Sequence, residues 1–162
     1  MILIEEQRDL FEVNSDLPEN EEPYCLAHCI SADFGMFGGI VVGFNERWNM
    51  KNVLLQVNGN QTKYFNQYGP FVIPVTVMDH DHETTVYNLV TKPTVGDKPT
   101  YNNLDTALKY MSYNMKAMGY KKLAIPTLGC GIDGLDWDSV KDMICGIFRP
   151  TDIEIRVCRI TY

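Results

Sequence analysis

The sequence predicts an α/β fold, on three observations. Short apolar runs, of the kind that form strands buried on both faces, alternate with longer stretches of helical period. Twice such a run stops at a glycine-rich turn and leads toward a helical segment. Tyr24 to Ser31 gives way to Ala32-Asp33-Phe34-Gly35-Met36-Phe37-Gly38-Gly39, and Leu123 to Ile125 gives way to Gly129-Cys130-Gly131-Ile132-Asp133-Gly134. Finally, 162 residues at 45% hydrophobic and 22% charged are enough to bury one core and too few for two ordinary domains. A single domain over residues 1–162 is therefore expected.

Taken in order, residues 1–6 suit a strand, and Asp9 stands where it has ended. Residues 14–23 are polar and acidic with two prolines, which predicts an exposed loop. Tyr24 to Ser31 is the first buried strand. Its His28 reads as a core residue, because a lone histidine in an apolar run is more often packed than ligating. After the glycine turn a helix is expected from about Asn45 to Val57, with Trp48, Val53 and Leu54 on its buried side and Asn58-Gly59-Asn60 stopping it. Phe71 to Met78 and Thr84 to Val90 should pair as a hairpin with a polar tip, and Pro74 weakens the first strand or puts it at an edge. The tip, Asp79-His80-Asp81-His82-Glu83, offers histidines and carboxylates to a metal. No further His is nearby and polar tips have this composition anyway, so no metal is assigned. From Thr100, Leu104, Leu108, Met111, Met115 and Met118 recur at helical spacing as one apolar stripe, read as core packing, and Gly119 is placed to end that helix. Trp137, Val140, Met143, Ile144 and Ile147 mark the last helix, and Ile153 to Ile160 alternates as a closing strand.

The net charge of −7 argues against non-specific binding to nucleic acid or an anionic membrane, both of which draw on clustered Lys and Arg. No apolar run approaches the roughly 18 residues of a membrane span, and MILIEEQRD has neither a basic leader nor a small-residue cleavage site. A soluble, cytoplasmic monomer is expected, nuclear in some eukaryotic hosts. Five cysteines without a CxxC pair suggest reduced thiols rather than a disulfide framework or a thiolate zinc site.

The second glycine turn carries the clearest chemical signal. Three glycines in six residues, between a strand and a helix, allow close approach of a diphosphate to backbone N–H groups at a helix N-terminus. The spacing is neither the Walker form nor GxGxxG, and it also suits an ordinary β–α connection. Ligands in open α/β sheets sit at the carboxyl ends of strands, so two such loops in one small chain favour the binding reading.

Ala27-His28-Cys29-Ile30-Ser31-Ala32-Asp33-Phe34-Gly35-Met36, Thr91-Lys92, Lys98-Pro99-Thr100-Tyr101-Asn102-Asn103-Leu104 and Gly129-Cys130-Gly131-Ile132-Asp133 occur in one order. In this the chain resembles a macrodomain, most of all the terminal ADP-ribose protein glycohydrolase branch, from about Arg8 to Val157. The resemblance implies a three-layer α/β/α sandwich on a mixed central sheet, with ADP-ribose, free or on protein, as ligand and no cofactor. It implies that Asp9 holds the adenine amino group, that the turn Met36, Phe37, Gly38, Gly39 and Ile40 wraps the distal ribose, that Gly129, Cys130, Gly131, Ile132 and Asp133 hold the diphosphate, and that Leu10, Ser31, Thr127 and Leu128 also contact ADP-ribose. Phe37 is a departure, since the branch most often has a glycine there. Lys92 and Asp133 are the implied catalytic pair: the lysine attacks the anomeric carbon of the distal ribose, expelling the protein carboxylate, and the aspartate helps to form and resolve the adduct. A lysine is a nucleophile only when neutral, so Lys92 needs its charged form disfavoured by an apolar wall. Without the resemblance, Lys92 reads rather as a solvated strand-end residue and Asp133 as a turn or capping carboxylate.

The resemblance thus implies a hydrolase that removes mono-ADP-ribose from acidic side chains and also acts on O-acetyl-ADP-ribose. A phosphatase of ADP-ribose 1″-phosphate and a non-catalytic ADP-ribose reader are the alternatives. Removal of ADP-ribose from DNA also occurs among related macrodomains, and the charge of −7 counts against it.

Overall fold

The computed structural model describes residues 1–160. Its strands are β1 (Ile2–Glu6), β2 (Cys25–Ser31), β3 (Phe71–Asp79), β4 (His82–Lys92), β5 (Lys122–Ile125) and β6 (Glu154–Cys158). They form a six-stranded sheet in the order β1-β6-β5-β2-β4-β3. Every neighbouring pair is parallel except the β3–β4 hairpin, which puts Pro74 in an edge strand as its missing N–H requires. The hairpin turns on His80 and Asp81 alone, both in the left-handed region (φ 48° and 65°), so its tip is tighter than the five polar residues expected.

Alternation along the strands loads both faces. Ala27, Tyr87, Leu89, Leu123, Ile125, Ile155 and Val157 face a core closed by α4 (Tyr101–Met118) and α5 (Trp137–Phe148). Leu26, Ile30, Val86, Val90, Ala124 and Cys158 face a second core under α1 (Val41–Trp48), α2 (Met50–Asn58) and α3 (Thr62–Tyr68). This is a three-layer α/β/α sandwich on a mixed sheet.

Two expectations are corrected, for the helix over Asn45 to Val57 and for Met118, and two features were not foreseen. The helix expected from Asn45 to Val57 is two helices, α1 and α2, broken at Asn49, whose φ of 53° is a conformation that asparagine tolerates better than most residues. α3 was not foreseen: of its three aromatics only Phe65 is buried, so it shows no apolar stripe. Met118 ends α4 exposed, because the stripe stops contacting the sheet one turn before Gly119. The acidic loop is anchored at its start by the wholly buried Asn14. Its Nδ2 donates to the Tyr24 carbonyl and to Asp79 Oδ2, both at 3.1 Å, and its Oδ1 accepts from the Tyr24 amide at 2.8 Å.

Candidate active site

A cavity of about 770 Å³ opens at the carboxyl ends of the five mutually parallel strands, where open α/β sheets hold ligands. Its wall takes Gln7 just past β1, Ser31 at the end of β2, Lys92 at the end of β4, Pro126 just past β5, and Cys158 to Ile160 at the end of β6.

The first glycine loop is a strained connection locked by Asp33. Its Oδ1 accepts from the Ser31 hydroxyl and, at 3.2 Å, from the Gly35 amide, while Oδ2 accepts from the Val95 amide at 3.1 Å. Phe34 and Met36 are buried at φ 56° and 54°, a region costly to large side chains and held by the packing around them. Gly35 fits because a Cβ there would lie 2.7 Å from Val95 Cβ. The loop then enters α1, whose N-cap residue Ile40 makes no side-chain cap, so that helix end faces the cavity beside Val41.

The second loop closes on itself. Cys130 N–H donates to the Thr127 carbonyl, Gly134 N–H to Gly131 and Leu135 N–H to Gly129. Gly129 takes φ 73°, and a Cβ there would meet Leu135 Cδ1 at 2.9 Å. The helix-terminus cradle expected at this loop lies elsewhere, because Asp136 caps α5 by accepting from the Ser139 amide and hydroxyl, both at 3.1 Å. What the loop offers is a run of backbone donors: among the described residues, the amides of Gly131, Ile132 and Asp133 donate to no protein acceptor, nor do those of Gly38 to Val41. The open helix end belongs to the other loop, on α1.

Between the loops Lys92 Nζ donates to Asp133 Oδ1 at 2.7 Å, with side chains only 10% and 14% exposed. Both groups line the cavity, so a strand-end lysine and a loop carboxylate 41 residues apart in sequence form one contact at its wall. Cys29 lies beside them and is no competing nucleophile: burial, then the Asp133 charge, push its thiol far above the ordinary range. Cys158, also in the wall, is pushed up to about 11 by burial and the Glu6 charge.

Of the residues expected at the site, Ser31, Met36, Phe37, Gly38, Gly39, Ile40, Lys92, Thr127, Leu128, Gly129, Gly131, Ile132 and Asp133 line this cavity. Three do not. Asp9 uses Oδ1 to cap the 3-10 turn Leu10–Glu12, accepting from Phe11 N–H at 3.0 Å, and stands just outside the wall, near enough to Cys158 to influence its thiol. Leu10 is wholly buried in the core under α1. Cys130 turns its thiol back onto the Leu128 carbonyl at 3.2 Å. Gln7, Val41, Val95, Arg159 and Ile160 were not foreseen in the wall. Their one sequence signal is position: Gln7 and Arg159 each follow a parallel strand directly. The hairpin-tip histidines serve the fold, His80 Nε2 lying 2.8 Å from the Phe11 carbonyl and His82 Nε2 3.3 Å from that of Leu17. No group of three or more metal-ligating side chains occurs among the described residues, and none of their helices is long and apolar enough to cross a membrane.

No family model matches the chain. It is 37% identical over 145 residues to the ADP-ribose glycohydrolase OARD1 of Homo sapiens, spanning 90% of this chain and 88% of the relative. The Bos taurus protein of the same name is 35% identical with the same coverage. Among solved structures, the macrodomain of Mycobacterium tuberculosis DarG matches with a TM-score of 0.78 at 17% identity, covering 99% of both chains. Thermosipho africanus DarTG in complex with ADP-ribose matches with a TM-score of 0.75 at 20% identity, over 99% of this chain and 43% of that one. The structures establish the fold, the relatives the lineage: the chain belongs to the macrodomain family, close to its terminal ADP-ribose glycohydrolase branch.

Proposed function

We propose that this protein is an ADP-ribosyl hydrolase that releases mono-ADP-ribose from glutamate and aspartate side chains, with Lys92 as nucleophile and Asp133 as its proton partner. The observation that carries the reading is the 2.7 Å contact between Lys92 Nζ and Asp133 Oδ1, set in the wall of a cavity between two loops rich in free amides. A module that only reads ADP-ribose has no use for that pair. The relatives named as ADP-ribose glycohydrolases support the substrate class.

In this mechanism the diphosphate lies against the amides of the two glycine loops, and the distal ribose points toward Lys92. Asp133 takes a proton from the ammonium across the 2.7 Å contact, leaving a lone pair on Nζ. Nζ bonds to the anomeric carbon as the bond from that carbon to the substrate carboxylate breaks, and the electron pair leaves with the carboxylate. Asp133 hands the proton it took to the departing carboxylate and is a base again. Water then attacks the anomeric carbon of the lysyl adduct and loses a proton to Asp133 while the C–N bond breaks and Lys92 recovers its electron pair. That proton returns to Nζ to restore the starting pair. O-Acetyl-ADP-ribose, which is also an ester of the distal ribose, is the second substrate of this reading.

The test is release of ADP-ribose from a glutamate-linked ADP-ribosylated protein, followed by mass. Lys92→Ala should abolish release while ADP-ribose binding stays within about tenfold, roughly 1.4 kcal/mol. Asp133→Ala should also stop turnover. Intact-protein mass spectrometry should show an adduct in wild type or Asp133→Ala and never in Lys92→Ala. Wild-type turnover by Lys92→Ala would reject the nucleophile and point to a water-mediated route.

A further inference from the structure

At the mouth of the cavity the two loops build an exposed apolar ridge with a lysine at each end. Phe37 is 74% exposed and Ile132 63% exposed, and both line the mouth. The loops meet between them, since a Cβ on Gly38 would stand 2.7 Å from Ile132 Cδ1. At one end Lys51 of α2 holds its Nζ 5.1 Å from the centre of the Phe37 ring. At the other, Lys98 Nζ donates to the Ile132 carbonyl. Among the described residues neither ammonium pairs with a carboxylate, whereas Lys92, Lys121 and Lys141 each do. In a chain of net charge −7, two uncompensated cations bracketing two exposed apolar side chains are a local reversal of the surface. Ile132 directly precedes Asp133, so the ridge runs past the point where a departing carboxylate would leave the pocket.

We propose that this ridge reads the polypeptide around the modified residue and selects an acidic acceptor segment. The aliphatic stems of residues next to the modified side chain lie across Phe37 and Ile132, and carboxylates on either side of it meet Lys51 and Lys98. The inference rests on the reading of the cavity as the site that holds an ADP-ribosylated side chain. A nucleic acid fits less well, because its affinity is built from a series of phosphate contacts and the ridge supplies two cations. Rim charges act mainly on encounter and are screened by salt, so the selectivity belongs in KM rather than kcat.

The test uses the full chain and one mono-ADP-ribosyl group on three carriers: a peptide with acidic flanks, the same peptide with glutamine flanks, and a single-stranded oligonucleotide. Binding is read by fluorescence polarisation on hydrolysis-resistant linkages, and turnover on the native ester peptides. The acidic peptide should bind about tenfold more tightly than the glutamine peptide at low salt, with the gap closing as salt is raised. Lys51→Gln with Lys98→Gln should close the same gap and leave free ADP-ribose binding unchanged, the second glutamine keeping a donor for the Ile132 carbonyl. Equal binding of the two peptides, an equal loss on both in the double variant, or an oligonucleotide that binds more tightly than the acidic peptide would overturn the proposal. Acidic preference without turnover sinks the hydrolase reading and keeps the ridge; turnover without preference does the reverse.

Discussion

Acidification from pH 7 to 5 should loosen the layer of the fold that carries α1, because His28 is held neutral inside it. The ring is fully buried, stacked at 3.8 Å on Phe44 of α1, with Nε2 2.6 Å from Asn88 Oδ1. Asn88 Nδ2 donates to the Ile73 carbonyl at 3.0 Å, so Oδ1 is the acceptor and Nε2 carries the ring proton. Nδ1 has no partner among the described residues, and protonating it places a charge in an apolar layer. Desolvation, opposed by the Asn88 bond, lowers the histidine from 6.5 to about 4. Between those values the unfolded chain binds a proton that the native chain refuses, so stability falls as pH drops through the window and is unaffected above it. The full depth is about 3 kcal/mol, and about 2 kcal/mol of it is lost by pH 5, against a total of roughly 5–15 for a domain. Glu5 and Glu154, held low by bonds from Lys141 and Tyr24 respectively, lose their contributions only as pH falls below about 4.5, outside this range. Urea melts at pH 7, 6 and 5 on wild type and His28→Gln, which keeps a donor for Asn88, should show wild type losing about 2 kcal/mol more than the variant. Parallel losses, or an imidazole that titrates near 6.5 by NMR in the folded protein, would refute the argument.

Three further outcomes follow from the cavity. ADP-ribose should raise the melting temperature and AMP should raise it less, because in the proposed reading only the former spans both glycine loops; no shift at millimolar ADP-ribose would reject the ligand. Gly129→Ala should cost about 1–2 kcal/mol from its left-handed backbone alone and weaken ADP-ribose binding, since Leu135 must move from 2.9 Å, as denaturant melts and calorimetry would show. Phe37→Gly should change affinity or turnover while thermal stability stays near wild type, because the exposed ring gives up little beyond its contact with Lys51, about 0.5–1 kcal/mol.

What the sequence makes legible is what local pattern encodes. The stripe of Leu104, Leu108, Met111 and Met115 repeats at the helical period and all four are wholly buried; Thr100 and Gly119 cap it as their chemistry dictates. The apolar runs of β2 and β5 are buried on both faces, as runs without alternation require. Local pattern fails where a residue's role depends on a backbone angle or on a distant strand. Asn49 reads as one more polar helix position until its φ of 53° divides α1 from α2. Phe34 and Met36 carry no sign that they are left-handed, because the packing that holds them there comes from elsewhere in the chain.

The cavity wall shows the same division, and it bears on where the next functional residues lie. The two glycine loops could be found locally because glycine content marks a backbone that approaches a ligand. Gln7 and Arg159 could not, since they reach the wall through the parallel register of β1 and β6, which sets Glu6 opposite Cys158 across about 150 residues of chain. Arg159 is then held by its neighbour strand: its amide donates to the Glu6 carbonyl and its Nη1 donates to Glu5 Oε1 at 3.1 Å. A cation fixed in this way at the end of the cavity, near enough to Cys130 to influence its thiol, has a settled place but a charge already shared with Glu5. In the proposed reading the anionic diphosphate is thus left chiefly to backbone donors, which keep their dipoles at every pH and surrender no side-chain ion pair when the ligand arrives.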